Sequence, residues 1–329
     1  MSKVQSRSTK NDPVLTALPA ACADERAAVE FMEKQRWDDA PGCPRCGDMD
    51  VYQMKDSVTG ERQANYRWRC KGCKQQFTVR IGTVFEDSRI ELRHWCYAFW
   101  RAATSKKGVA ALELHRQTGL SYKSCLFMLQ RIRFAMGGSM PGPLTGPVEA
   151  DETFVGGKPR NKLRSKQERV EFFAKKPAVL AIVERGGRVR TGVVADVTAK
   201  TLGDAIRENV DPNNSTLYTD EHLSYGRVGK QFAGGHHTTK HSKGEYARGH
   251  VHSNTVEGFF STVKRGLNGI YHAVSREHLH RYLCEFEFRY NHRHIDDGER
   301  TRAAILSSEG KRLTYEESKA SEEAYGTNP

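Results

Sequence analysis

The chain has no run approaching the roughly 20 apolar residues that a membrane-spanning helix requires. Its opening residues, Met1 to Pro13, lack the apolar core of a secretory leader. Both absences lead to the expectation of a cytosolic protein without a membrane partner. Negative charge is in deficit, with 40 acidic residues against 52 Lys and Arg and a formal charge of +12. Such a balance favours a polyanionic partner through phosphate neutralisation and counterion release, nucleic acid before others. Cysteine is scarce, eight in 329 residues, and in a reducing compartment so few are read for metal binding before disulfides. Internal repeats are absent as well. What remains is a chain long enough for one core-bearing domain and one or two small modules.

Helical spacing begins at Asp24 to Trp37, with Ala27, Ala28, Phe31 and Met32 recurring before Pro41 and Gly42 stop the pattern. From Glu91, apolar residues at 92, 95, 96, 99 and 100 mark a buried helix face. A second helix is expected from about Lys107 to Gln117, broken by Gly119, and a third from Ser121, placed as its cap, to Met136. The segment GGSMPGPLTGP at 137–147 has the composition of a linker and excludes a central strand. Beyond it the pattern predicts strands at Val148–Val155, Ala178–Glu184 and Val189–Ala195, the last two joined by a Gly186-Gly187 turn. A helix near Leu202–Asn209, a turn at Asp211–Asn214, strands at Thr216–Thr219 and near His237–Lys240, and two further helices complete the order. Between the first two strands, residues Gly157 to Pro177 form a basic insertion.

Four cysteines pair at once. Cys43-Pro-Arg-Cys46-Gly and Cys70-Lys-Gly-Cys73 are two CxxC knuckles flanking strand-like Asp50–Lys55 and Tyr66–Arg69. Two intervening residues let both thiolates of a knuckle turn toward one tetrahedral zinc, and two knuckles close a structural site with no position left for catalysis. Cys22, Cys96, Cys125 and Cys284 have no metal spacing and read as small core residues. The helices on either side of Thr118-Gly119-Leu120 fit a helix-turn-helix, although a plain helical hairpin has the same apolar pattern. In the first reading Lys123 reaches bases, and Arg131 and Arg133 reach phosphates.

The carboxylates lie further along. Asp151 sits on an apolar strand within Glu149-Ala-Asp151-Glu152, and Asp220 ends another within Leu217-Tyr218-Thr219-Asp220. Acids at the ends of neighbouring strands can share hard divalent cations, which prefer oxygen ligands. In the stretch 252–265, Asn254, Glu257, Ser261 and Lys264 are spaced three, four and three apart, hence on one helix face, with Val256, Phe259, Phe260 and Val263 free to pack on the sheet.

The set of CPRCG and CKGC, ADETFVGGK (150–158), YTDEHLSY (218–225), HSKGEYARG (241–249), HSNTVEGFFSTVKRGLNGIYHAVS (252–275) and FRYNHR (288–293) resembles bacterial insertion-sequence transposases of the ISXO-like group, which are also similar to eukaryotic Merlin transposons. The resemblance implies a multidomain α+β chain: an N-terminal zinc ribbon, a helical helix-turn-helix module, and a C-terminal RNase H-like α/β core with a mixed sheet. The expected bounds are an N-terminal tail and helix at 1–36, the ribbon at 37–85, the helix-turn-helix at 88–138, a linker at 139–147, the DDE core at 148–312 and a polar tail at 313–329.

The resemblance further implies that Asp151, Asp220 and Glu257 hold two Mg²⁺ or Mn²⁺ ions. Asn254 is the alternative third ligand, since some members are described with Asn there. Lys264 is the expected basic partner of a transposon-end phosphate, joined by Arg265, and Lys158, Arg160, Lys162 and Arg164 of the insertion are expected on the DNA backbone. The implied activity is binding of terminal inverted repeats followed by metal-dependent strand cleavage and transfer. Its partners would be the transposon ends and target DNA, as double strands, and a homodimer or higher homo-oligomer in the synaptic complex. Its location would be the bacterial cytosol, on the nucleoid when bound. The alternative is a domesticated zinc-ribbon and helix-turn-helix regulator with an inert nuclease. A junction resolvase on the same fold is disfavoured by the N-terminal modules, and serine or tyrosine recombinases by the lack of a nucleophile in an arginine-rich pattern.

Overall fold

The computed structural model describes residues 12–38, 41–138, 140–156, 176–239, 247–249, 251–314 and 317. They form two compact units, one of residues up to Met136 together with those from His292 onward, the other of Gly137–Asn291.

In the first unit, two helices open the chain, α1 (Pro13–Ala23) and α2 (Glu25–Trp37). Asp12 caps α1 by accepting from the N–H groups of Val14 and Leu15, and Asp24 caps α2 by accepting from Ala27. Strands β1 (Val51–Gln53), β2 (Trp68–Cys70) and β3 (Gln76–Phe77) form an antiparallel meander. Three helices follow, α3 (Leu92–Thr104), α4 (Ala111–Thr118) and α5 (Tyr122–Met136). Helix α4 begins at Ala111 rather than Lys107, because residues 105–108 close a turn in which Gly108 has φ +102°. Gly119, at φ +72°, ends it, and the Ser121 hydroxyl caps α5 by accepting from the Ser124 N–H at 3.1 Å. The core gathers Met32, Phe85, Trp95, Phe99, Met128 and Ile132, with the Phe85 and Trp95 rings 5.6 Å apart.

The second unit is built on a five-stranded sheet. Its strands are β4 (Leu144–Phe154), β5 (Ala178–Glu184), β6 (Val189–Val194), β7 (Val210–Thr219) and β8 (His236–Thr238), in the order β6-β5-β4-β7-β8. β5 is antiparallel to both β4 and β6, while β4, β7 and β8 run parallel. The apolar run AVLAIVE of β5 is buried on both faces, as a central strand requires. Its Leu180 and Ile182 meet helix α6 (Ala199–Asn209) through Leu202 and Ile206. Its Val179, Ala181 and Val183 meet α7 (Asn254–Gly266) and α8 (Arg276–Asn291) through Val256, Phe260, Val263 and Leu283. A two-stranded ribbon, β9 (Ala247–Arg248) and β10 (Val251–His252), leads into α7. The expected mixed sheet flanked by helices is observed.

Two expectations are corrected. Residues 144–147 are not linker but the start of central strand β4. Pro147 pairs with Thr216 of β7 one residue before the β5 register begins at Val148, and its carbonyl accepts from the Arg185 N–H at 2.9 Å. The core does not extend to 312: from His292 the chain joins the first unit, where α9 (Asp297–Leu306) packs on α1, α2 and α3 and buries Ala304 and Ile305. The turn expected at Asp211–Asn214 falls inside β7 as an irregularity. Register passes from Leu144↔Val210 to Gly146↔Ser215, and Asp211 accepts from the Asn213 N–H as an Asx turn does.

Candidate active site and zinc centre

Cys43, Cys46, Cys70 and Cys73 converge, their sulfurs all within 4.8 Å of one another. The Cys43–Cys73 and Cys46–Cys70 separations are 3.7 and 3.6 Å. Four sulfurs at about 2.3 Å from one zinc lie about 3.8 Å apart in a tetrahedron, so the thiols present fit that ion. Trp37, Trp68 and Phe77 wall the cluster, with the Trp37 ring 6.2 Å from Trp68 and 5.9 Å from Phe77. The other four cysteines stand apart from this cluster. Cys96 and Cys125 are buried, and Cys22 and Cys284 are partly so.

The carboxylates assemble at one end of the sheet. β4 points Asp151 to the face covered by α7, since Val148 and Ala150, of opposite parity, enter the core under α6. Asp220 follows β7, whose parallel pairing with β4 brings it beside Asp151, and its Oδ1 accepts from the His222 N–H at 3.0 Å. A cleft of about 630 Å³ has Asp151, Glu257, Ser261, Lys264 and Arg265 in its lining. Burial first, and then the negative charges of Glu152, Asp220 and Glu257, push the Asp151 carboxyl up to about 7. Acids crowded in this way fit a hard divalent cation, whose charge would offset both effects.

α7 turns the polar face predicted for it outward. Asn254, Glu257, Ser261 and Lys264 are exposed, while Val256, Phe259, Phe260 and Val263 are buried. Glu257 accepts from the Ser253 hydroxyl at 2.7 Å. Asn254 lies one turn earlier and is not in the cleft lining. The Lys264 ammonium is 5.9 Å from the Phe260 ring centroid, and Arg265 donates to Ser261 through its carbonyl and hydroxyl oxygens.

Three charged groups of the site escaped the sequence pattern. Glu149, two residues before Asp151 and on the same face, is wholly buried and binds Arg185, His252, Thr255 and Val256. Arg185 lies 3.9 Å over the Tyr218 ring. Glu152, on the opposite face, accepts from the hydroxyl of buried Tyr225. The available signal was Glu149 itself, an acid between Val148 and Ala150 in a strand too apolar to hold it unpaired.

Among the expected DNA contacts, Lys123 is exposed at the start of α5. Arg131 and Arg133 are not available and are corrected. They are 8 % and 1 % exposed, on the face of α5 that also buries Met128, Leu129 and Ile132. Arg131 is spent on main-chain carbonyls, donating to Leu313 at 3.0 Å and Glu86 at 3.1 Å, and lies 4.5 Å from the Phe127 ring centroid. Lys158, Arg160, Lys162 and Arg164 lie outside the described residues.

Zinc ribbon, helices and mixed sheet define the class: a multidomain α+β protein with a DDE-type core. Residues 143–291 match the family model of the ISXO2-like transposase domain, and residues 23–76 that of the transposase zinc-ribbon domain. The chain is similar to an uncharacterized protein in transposable element ISH50 of Halobacterium salinarum, 28 % identical over 277 residues, 80 % of this chain and 90 % of that one. It is also similar to an uncharacterized transposase-like protein of Haemophilus influenzae, 35 % identical over 109 residues, 33 % of this chain and 85 % of that one. The chain belongs to the insertion-sequence transposases with an ISXO2-like domain. Its four clustered cysteines are those of a structural zinc ribbon. Among the described residues no helix is long and apolar enough to cross a membrane.

Proposed function

We propose that this transposase binds the terminal inverted repeats of its element and catalyses metal-dependent cleavage and transfer of DNA strands, with Asp151, Asp220 and Glu257 as the ligands of Mg²⁺ or Mn²⁺. The observation that carries the reading is one cleft lined by Asp151, Glu257, Lys264 and Arg265, in which Asp220 and Glu257 both repel the Asp151 carboxylate. When bound, such ions acidify an attacking water or 3′-hydroxyl and offset charge on the leaving 3′-oxygen.

The chain's own residues do the rest. Lys264 and Arg265 hold a phosphate of the transposon end beside the acids, where a cation offsets phosphate charge. Asn254 adjusts the approach of the substrate from the same helix face. In cleavage, water oxygen bonds to phosphorus as the bond to the 3′-oxygen breaks. In transfer, the freed 3′-hydroxyl attacks a target phosphorus and displaces that strand's own 3′-oxygen. The zinc ribbon and the helices α4 and α5, with Lys123 at the leading end of α5, read the ends, and two or more copies synapse them in the cytosol.

The test is magnesium-dependent cleavage of a duplex carrying the element's own terminus, with wild type and Asp151→Ala compared at equal DNA occupancy. Full cleavage by the variant refutes the assignment. The basic insertion is tested separately. Neutralising Lys158, Arg160, Lys162 and Arg164 should lower the log–log salt slope of binding by about 0.9 for each phosphate that the protein no longer neutralises.

A further inference from the structure

Glu149 is an acid with no accessible surface in the middle of a sheet. Burying a charge is costly unless its oxygens are fully engaged, and here both are. One oxygen accepts from Arg185 Nε at 2.6 Å, from the Thr255 hydroxyl at 2.9 Å and faces His252 Nδ1 at 3.2 Å. The other accepts from the backbone N–H groups of Thr255 at 2.8 Å and Val256 at 3.0 Å. Those two N–H groups belong to the first turn of α7, and the residue that should cap it, Ser253, makes no side-chain cap bond. Instead its hydroxyl donates to Glu257. The helix is thus capped from outside, by a strand more than a hundred residues earlier in the chain, which leaves Ser253 free to hold the acid one turn on.

The same residue reaches a third element. Arg185 follows β5, donates to the His252 carbonyl at 2.7 Å and stacks over Tyr218, the residue opposite Glu149 in the parallel β4–β7 register and two before Asp220. Asp151 lies two residues after Glu149, Asp220 two after Tyr218, and Glu257 one after Val256. Each acid is therefore within two residues of a group tied to Glu149, directly or through Arg185.

We infer that Glu149 is the positioning residue of the site, setting α7 against the ends of β4 and β7 so that Glu257 stands with Asp151 and Asp220. This rests on the reading of those three acids as metal ligands. Glu149 touches neither substrate nor metal, and its replacement acts through the placement of the helix. Glu149→Gln keeps the reach but puts an amide N–H among donors that need an acceptor.

The probe is Mn²⁺ binding to the full zinc-loaded chain, followed by the electron paramagnetic resonance signal of free Mn²⁺. Glu149→Gln should weaken Mn²⁺ binding about tenfold, the scale on which groups behind metal ligands act. Glu287→Gln is the control for lost stability alone. Glu287 is a carboxylate of α8 bound to Thr191 and Arg190 and to none of the groups that hold Glu149, and its variant should keep Mn²⁺ affinity within twofold even if it melts earlier. If Glu149→Gln does not fold, Thr255→Val, which removes one of the bonds, should weaken Mn²⁺ binding about threefold. Wild-type affinity in the folded variant, or an equal loss in Glu287→Gln, overturns the inference. Equal binding by wild type and Asp151→Asn overturns the metal-site reading itself, a separate outcome.

Discussion

Four thiols in the ribbon and the three acids proposed as metal ligands at the sheet end are assembled in opposite ways. Each ribbon knuckle closes over three residues of chain, and one antiparallel meander brings the two knuckles together. The acids come from positions 151, 220 and 257 and meet only because β4 pairs with β7 and α7 lies across the sheet face. A closed thiolate site builds its module, since zinc binding supplies folding energy that so small a core lacks. An open carboxylate site is the reverse: the fold must be stable first, and it holds like charges together against their repulsion. Four thiolates leave a zinc no open position for substrate, whereas Asp151 and Glu257 line a cleft.

The comparison breaks most visibly if the acids are removed. Asp151→Ala or Asp220→Ala should lower magnesium-dependent cleavage and joining by orders of magnitude, while gel-shift binding to the element's terminus and the melting temperature stay near wild type. A variant that unfolds instead would mean that the acids build the core. Cys70→Ser should do the opposite. Zinc content measured by mass spectrometry falls to background, the ribbon loses a binding contribution on the order of 10 kcal/mol, and end binding weakens while the sheet of the second unit stays folded.

Within the open site, Glu257→Ala should cost far more cleavage than Asn254→Ala, as single-turnover rates on the same duplex would reveal. The reverse ranking transfers the third ligand to Asn254. The smallest effects lie in α5, where Arg131→Ala should destabilise the first unit by about 2 kcal/mol through unsatisfied carbonyls and leave the salt slope of binding unchanged. Lys123→Ala should weaken binding by about 1 kcal/mol with no change in melting. An unchanged melting temperature in Arg131→Ala would return that guanidinium to the DNA.

Much of this was legible in the residues taken in order. The CxxC pairs, the cap Ser121, the break at Gly119, the apolar run of β5 and the two-faced pattern of α7 all act over one to four residues, the range in which helix, strand and turn geometry is dictated locally. Asp151, Asp220 and Glu257 could be named as candidates because the motifs around them resemble those of a known family. Spacing could not tell Arg131 and Arg133 from surface cations. Which side of α5 meets the core depends on residues 86 and 313, far away in the chain. Nor could it find a strand at Pro147, which is drawn into the sheet by pairing with Thr216 of β7, far along the chain.

By itself, then, the sequence determined the local elements, the zinc ligands and the inventory of acids, because those depend on the periodicity and chemistry of neighbouring residues. Only the tertiary structure decided that the chain from His292 returns to the N-terminal unit and that buried Glu149 caps a helix more than a hundred residues on. It likewise decided that Glu257, rather than Asn254, lines the cleft with Asp151. Those outcomes turn on which distant surfaces are desolvated together, and a charge as deeply buried as Glu149 is stable only where Arg185, Thr255 and Val256 arrive with it.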